Sequence, residues 1–72
     1  MFRLRVDLLR DVARKKGDCS GYAIARRTEI SESSVYRILS GTTQPDLNSM
    51  LRIHEAYGVH VEDLMERVKV RI

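Results

Sequence analysis

Apolar residues recur along this chain at two periods, and the change of period marks its parts. At both ends they alternate with basic residues. Phe2, Leu4 and Val6 would lie on one side of a strand with Arg3 and Arg5 on the other, and Val68, Val70 and Ile72 alternate with Arg67, Lys69 and Arg71 in the same way. That is the period of two expected of strands. Phe2, Val6, Leu9 and Ala13 also fit a helical face, so the N-terminal stretch alone is ambiguous. The matching pattern at the far end favours a small ribbon, formed within one chain or between two, with its apolar side on the helices, because a lone two-stranded ribbon needs such backing. Frayed tails are the competing expectation.

Between the ends the period is helical. Leu8, Leu9, Val12 and Ala13 give the inner face of a first helix running to about Lys16, with Asp7 as its N-cap and Gly17 as its stop. Arg14, Lys15 and Lys16 fall in its last turn, where cations complement the helix dipole. Ser20 caps a second helix over 21–28, with Ile24 and Ala25 inward and Arg26 and Arg27 near its end, read as solvated or dipole-complementing residues with phosphate contact as the lesser alternative. Ser31 caps a third helix over about 32–40, in which Val35, Ile38 and Leu39 follow the i, i+3, i+4 spacing and Gly41 is the C′ residue. Ala25 is small enough to let the second and third helices cross closely, so that the third projects outward. Pro45 and Asp46 open a fourth helix with Leu47, Met50, Leu51, Ile53 and Tyr57 as its apolar stripe and Gly58 at its end. Val59 and Val61 pack back, and a last short helix over about 61–66 contributes Leu64. The expected fold is all-α, five helices in one domain spanning 1–72, with the terminal ribbon added.

Composition narrows the picture only a little. The chain has 72 residues and one cysteine, so no intrachain disulfide forms, and Cys19 reads as a free thiol of a reducing compartment. A domain this small is marginal in stability without staples or oligomerisation. No apolar run reaches the length of a membrane span and no signal-peptide core is present at the N-terminus, so a cytoplasmic protein is expected. The net charge is +3. It is unevenly placed: residues 1–41 hold nine Lys/Arg and five Asp/Glu (+4), while residues 42–72 hold four and five (−1). The excess of positive charge thus lies in the half of the chain that carries the second and third helices.

The stretch 20–41, taken with the fourth and fifth helical patterns, resembles the lambda-repressor/Cro-like (XRE) family of helix-turn-helix proteins. The residues that carry the resemblance are Ser31-x-x-Ser34-Val35-Tyr36-Arg37-Ile38-Leu39-Ser40-Gly41 with Pro45 beyond, then Ala56-Tyr57-Gly58-Val59-x-Val61-Glu62-Asp63-Leu64. The likeness covers about residues 8–65. It implies a five-helix DNA-binding domain whose third helix enters the major groove of double-stranded DNA, in a small transcriptional regulator of the phage Cro or repressor type. It also implies a homodimer on an inverted-repeat operator in a bacterial cytoplasm. Glu29 departs from the family, which usually has Gly there because the turn favours a left-handed backbone.

With Val35, Ile38 and Leu39 inward, the outward set on the third helix is Glu32, Ser33, Tyr36, Arg37 and Ser40. The family's base-reading positions fall on Glu32, Ser33 and Arg37, and Tyr36 joins them as a candidate for a sugar or a thymine methyl. Arg37 can donate twice to guanine, while Glu32 can accept from cytosine or serve the helix dipole instead. Phosphate contacts are expected from Ser20, Gly21 and Tyr22 at the start of the second helix and from Ser40, Thr42 and Thr43 after the third. The family usually has Gln where this chain has Gly21, which leaves only a backbone N–H there.

Enzymatic chemistry has little support. His54 and His60 stand without a second ligand type at metal spacing, and no glycine-rich phosphate loop follows a strand. Glu62, Asp63 and Glu66 read as solvated helix ends. No cofactor, metal or small-molecule ligand is expected. The alternative to DNA binding is a protein-interaction role, as an antitoxin or adaptor built on the same helices.

Overall fold

A computed structural model describes residues 1–69. Within them the chain runs through a strand, β1 (Phe2–Leu4), five helices, α1 (Val6–Lys15), α2 (Gly21–Thr28), α3 (Glu32–Leu39), α4 (Leu47–Tyr57) and α5 (Val61–Leu64), and a second strand, β2 (Met65–Arg67). The helices bury one apolar cluster in which Leu9, Ile53 and Leu64 are the largest fully enclosed side chains. Ala13 and Ala25 are also buried, and their small size lets neighbouring backbones come close.

The helix starts are set by the polar residues that precede them. The Ser20 hydroxyl accepts from the Ala23 N–H (3.1 Å), that of Ser31 from the Ser34 N–H (3.4 Å), and Asp46 Oδ1 from the Ser49 N–H (2.8 Å). Each bond satisfies one of the N–H groups that a helix start leaves free. The Ser49 bond also holds the Asp46 carboxyl below the usual carboxylate range. Asp7 does not cap α1. The N-cap is Arg5, and Asp7 lies within the first turn, where its carboxylate takes a 3.4 Å bond from the Arg5 guanidinium. The helix begins early because the Arg5 N–H is already used: it donates to the Leu64 carbonyl (2.7 Å) and fixes the strand-to-helix junction.

The ribbon exists, and it forms within the chain. β1 and β2 pair antiparallel with Phe2 opposite Arg67, Arg3 opposite Glu66 and Leu4 opposite Met65. The Val68 N–H extends the ladder to the Met1 carbonyl (2.8 Å). The C-terminal strand therefore starts at Met65, earlier than the alternation of 67–72 implies, and α5 stops at Leu64 rather than near residue 66. Val70, Arg71 and Ile72 lie outside the described residues. On the other edge of β1, the Leu4 N–H donates to Gln44 Oε1 (2.8 Å), which ties the loop after α3 to the ribbon. Leu4 is buried, whereas Phe2, two residues away on the same face, is 60% exposed beside the Arg67 guanidinium.

The apolar stripe of α4 is narrower than its sequence suggests. Met50, Ile53 and Tyr57 are buried, but Leu47 is 71% exposed and Leu51 45%. These two leucines are four residues apart on one edge of the helix, beside the buried stripe rather than within it.

Glu29 adopts the left-handed backbone, with φ +61° and ψ +24°. Its carbonyl accepts from Arg52 Nη1 on α4 (2.7 Å), so the turn between α2 and α3 is anchored despite its conformation. A side chain in this region costs about 1–2 kcal/mol that glycine does not incur, although glycine gives back part of it as unfolded-chain entropy. Glu29→Gly is expected to raise stability by about 0.5–1 kcal/mol, or a few degrees of Tm. Thermal unfolding checks this, and a variant that melts lower would show that the Glu29 side chain supplies something greater than the backbone cost.

Candidate nucleic-acid interface

The third helix is two-sided. Val35, Ile38 and Leu39 are buried, while Glu32, Ser33, Tyr36, Arg37 and Ser40 are exposed. The projecting surface therefore has the composition that reads DNA edges: a guanidinium, a carboxylate, hydroxyls and one aromatic ring. Among the described residues the Arg37 side chain makes no ion pair or hydrogen bond, which leaves its planar fork open.

The end of α3 is shaped by its backbone. Gly41 sits at φ +79°, its N–H bonds the Ile38 carbonyl (3.1 Å), and the Thr42 N–H bonds the Arg37 carbonyl (3.0 Å). This pair of bonds is the Schellman arrangement, which closes a helix through a left-handed residue best served by glycine. It folds the next loop back so that Ser40 Oγ and Thr42 Oγ1 meet at 2.8 Å, with Ser40 also donating to the Arg37 carbonyl (3.1 Å). Ser40, Thr42 and Thr43 are all exposed. They form a hydroxyl-bearing rim directly beyond the outward face of the helix.

At the start of α2, Ser20 and Tyr22 are exposed and Gly21 is buried. Gly21 lies against Tyr36: a Cβ built on it would come within 2.7 Å of Tyr36 Cε1 and 2.9 Å of Cζ. The absence of a side chain there permits this approach. Tyr22 pairs with Arg26 one turn on. Arg26 Nη1 donates to the Tyr22 hydroxyl (3.1 Å), and its guanidinium carbon stands 5.7 Å from the ring centroid. This bond to the Tyr22 oxygen raises the Arg26 pKa above the usual guanidinium range. Arg26 is exposed in the last turn of α2, as expected, and it also reaches back to Tyr22, a contact that the i, i+4 spacing of tyrosine and arginine signals.

Arg27, by contrast, is taken up in a contact within the fold. It donates through Nε to Asp18 Oδ2, and Tyr57, from α4, donates its hydroxyl to the same oxygen (2.8 Å). The Asp18 side chain is only 11% exposed. Three elements thus meet on one carboxylate: the turn after α1, the outer side of α2 and the end of α4. The Arg27 bond, with that of Tyr57, holds the Asp18 carboxyl below its usual pKa of 3.8, against the opposing effect of burial. Burial first, then the bond to Asp18, pushes the Tyr57 hydroxyl well above the usual tyrosine range.

Because the folded-state pKa of Asp18 is depressed, its contribution is present at neutral pH and is lost as pH falls below 3.8. The parent is expected to lose stability in that acid window more steeply than Asp18→Asn, whose carboxamide does not titrate. The variant is expected to melt lower at neutral pH, by about 1–3 kcal/mol for bonds to a charged group. Urea unfolding of both proteins between pH 2.5 and 7 measures the difference. Parallel curves for the two would remove Asp18 as the source of the acid sensitivity.

The known-protein comparisons agree with this geometry. The model of the helix-turn-helix family matches residues 12–64. Searches of curated proteins and of solved structures returned no match. The matched span takes in the end of α1 from Val12 on and the whole of α2 to α5, with the exposed face of α3. The chain belongs to the lambda-repressor/Cro-like (XRE) helix-turn-helix family, and its function is sequence-specific DNA binding as a regulator of that kind. Among the described residues no helix is long and apolar enough to cross a membrane, and no group of three or more His, Cys, Asp or Glu is placed to hold a metal ion.

Proposed function

We propose that the protein is a transcriptional repressor of the Cro type, acting as a homodimer on an inverted-repeat operator in a bacterial cytoplasm and carrying out no catalysis. The observation that carries this reading is the outward face of α3, where five polar or amphipathic residues stand exposed opposite a buried apolar side. In this reading α3 lies in the major groove. Glu32, Ser33, Tyr36 and Arg37 meet base edges, while Ser20, Gly21, Tyr22, Ser40, Thr42 and Thr43 hold the phosphates on either side. The +4 charge of residues 1–41 supports it, because that half carries α2 and α3 and a polyanion is drawn to it. A two-fold dimer presents two such helices, which is why the operator should be palindromic, with half-sites about one helical turn apart.

Selection of bound duplexes from a random DNA pool tests the proposal, because it returns sequence, symmetry and stoichiometry together. An inverted repeat bound by two chains is the expected result, with affinity falling steeply as salt rises through release of counterions. A pool that shows no enrichment, or binding indifferent to salt, would overturn it. A single asymmetric site bound by one chain would remove the dimer.

A further inference from the structure

We propose that Tyr36 and Gly21 form one specificity-determining unit, in which the missing side chain of Gly21 seats the Tyr36 ring at a fixed angle so that it meets a thymine methyl group. The inference rests on the DNA-binding reading and gives one exposed residue a definite substrate chemistry. Tyr36 is on the outward side of α3 yet does not stand free. One side of its ring, at Cδ1, Cε1 and Cζ, lies so near Gly21 that a Cβ there would meet these atoms at 2.7–3.1 Å. The residue as a whole is nevertheless 49% exposed.

A tyrosine held in this way differs from its neighbours on the helix. Glu32, Ser33 and Arg37 are exposed side chains with several rotatable bonds or a small polar tip, suited to hydrogen bonding with base edges. The ring is rigid, has two side-chain torsions, and here is restrained by contact with a second helix. It presents carbon rather than a donor fork. In the major groove the apolar feature that distinguishes one base from the rest is the C5-methyl of thymine, so an anchored ring edge selects for it. Gly21 is required because any larger residue at the start of α2 would push the ring off this seat. The neighbouring Tyr22, by contrast, is turned to Arg26 and leaves the ring of Tyr36 its place.

The test uses the full chain with an operator duplex selected from the random pool and a set of copies in which each thymine in turn is replaced by deoxyuridine, which removes only the methyl. For the parent, one thymine per half-site is expected to show about a fourfold loss on this replacement, the value of one buried methyl group. Tyr36→Ala should bind thymine and deoxyuridine copies alike, and Tyr36→Phe should keep the discrimination. Gly21→Ala should reduce it in the parent background and have no further effect in the Tyr36→Ala background, while melting no lower than the parent. In the free protein, the α-protons of Gly21 should be shifted upfield by the ring, and should lose that shift in Tyr36→Ala. Parent protein that is indifferent to every thymine replacement overturns the methyl contact, as does discrimination that survives Tyr36→Ala. Gly21→Ala and Tyr36→Ala effects that simply add overturn the coupling. A chain that selects no DNA sequence at all overturns the functional reading itself, and the unit with it; the proton shift then still reports whether the ring is seated.

Discussion

Arg37→Ala is expected to keep its fold and lose its choice of sequence. The side chain is exposed on the outward face of α3 and, among the described residues, supports no other group. Surface changes of that kind usually move stability by no more than about 0.5 kcal/mol. What is removed is a planar donor fork on the outward face of α3, which the proposed docking turns to the groove. A bidentate pair with guanine O6 and N7 contributes about 1–3 kcal/mol of discrimination, or roughly 5- to 150-fold in affinity. The loss should fall on the selected operator and be much smaller on a scrambled duplex of the same length, because the phosphate attraction that serves both duplexes is spread over many groups. Arg37→Lys makes the comparison sharper. It restores the charge without the fork, so operator affinity should stay close to that of the alanine variant if base reading is the role. Binding titrations at fixed salt with both duplexes decide the matter. An equal loss on operator and scrambled DNA would make Arg37 a phosphate contact, and no loss on either would remove it from the interface.

The outward placement of Arg37 was legible in the sequence because it depends on local facts alone. Val35, Ile38 and Leu39 set one side of α3, Ser31 and Gly41 set its ends, and the residues between must then face out. The caps at Ser20 and Asp46 are legible for the same reason, since each acts on an N–H three residues away. Features that need two distant parts of the chain were not. Tyr57 looks like one more member of an apolar stripe, and its bond to Asp18, 39 positions away, has no local signal. The end of α5 is another case. The run from Val61 to Glu66 continues a helical pattern, but the Leu64 carbonyl is taken by Arg5 and the chain must extend at Met65 to pair with β1. Leu47 and Leu51 were misplaced because periodicity identifies a face and not the width of the surface that will cover it. The seat of Tyr36 on Gly21 joins two helices whose crossing is foreshadowed by Ala25 but whose contact geometry is not. Glu29 went the other way: the sequence conflict with a left-handed turn is real, and the backbone accepts it at φ +61° with Arg52 holding its carbonyl.

Leu64→Ala is expected to have the largest effect on stability, because this residue joins the two parts of the fold. Its side chain is fully buried in the helical core. Its carbonyl takes the Arg5 N–H that begins α1, and its N–H bonds back to the His60 carbonyl (3.2 Å). It is also the last residue of α5 before the chain enters β2. Truncating such a leucine removes transfer free energy and leaves a cavity, together about 2–5 kcal/mol. A chain of 72 residues has roughly 4–11 kcal/mol of total stability at the usual value per residue. The variant therefore lies between a domain with most of its reserve removed and one that is largely unfolded. Leu51→Ala is the control, since that leucine is 45% exposed and loses much less burial. Circular dichroism during urea titration should show Leu64→Ala unfolding at far lower denaturant than the control. The amide signals of Phe2 to Leu4 should collapse with the helical signals rather than after them, because the ribbon and α1 share the Arg5 to Leu64 bond. Helices that persist after the ribbon signals are lost would show that the two parts are stabilised separately, with Leu64 serving the core alone.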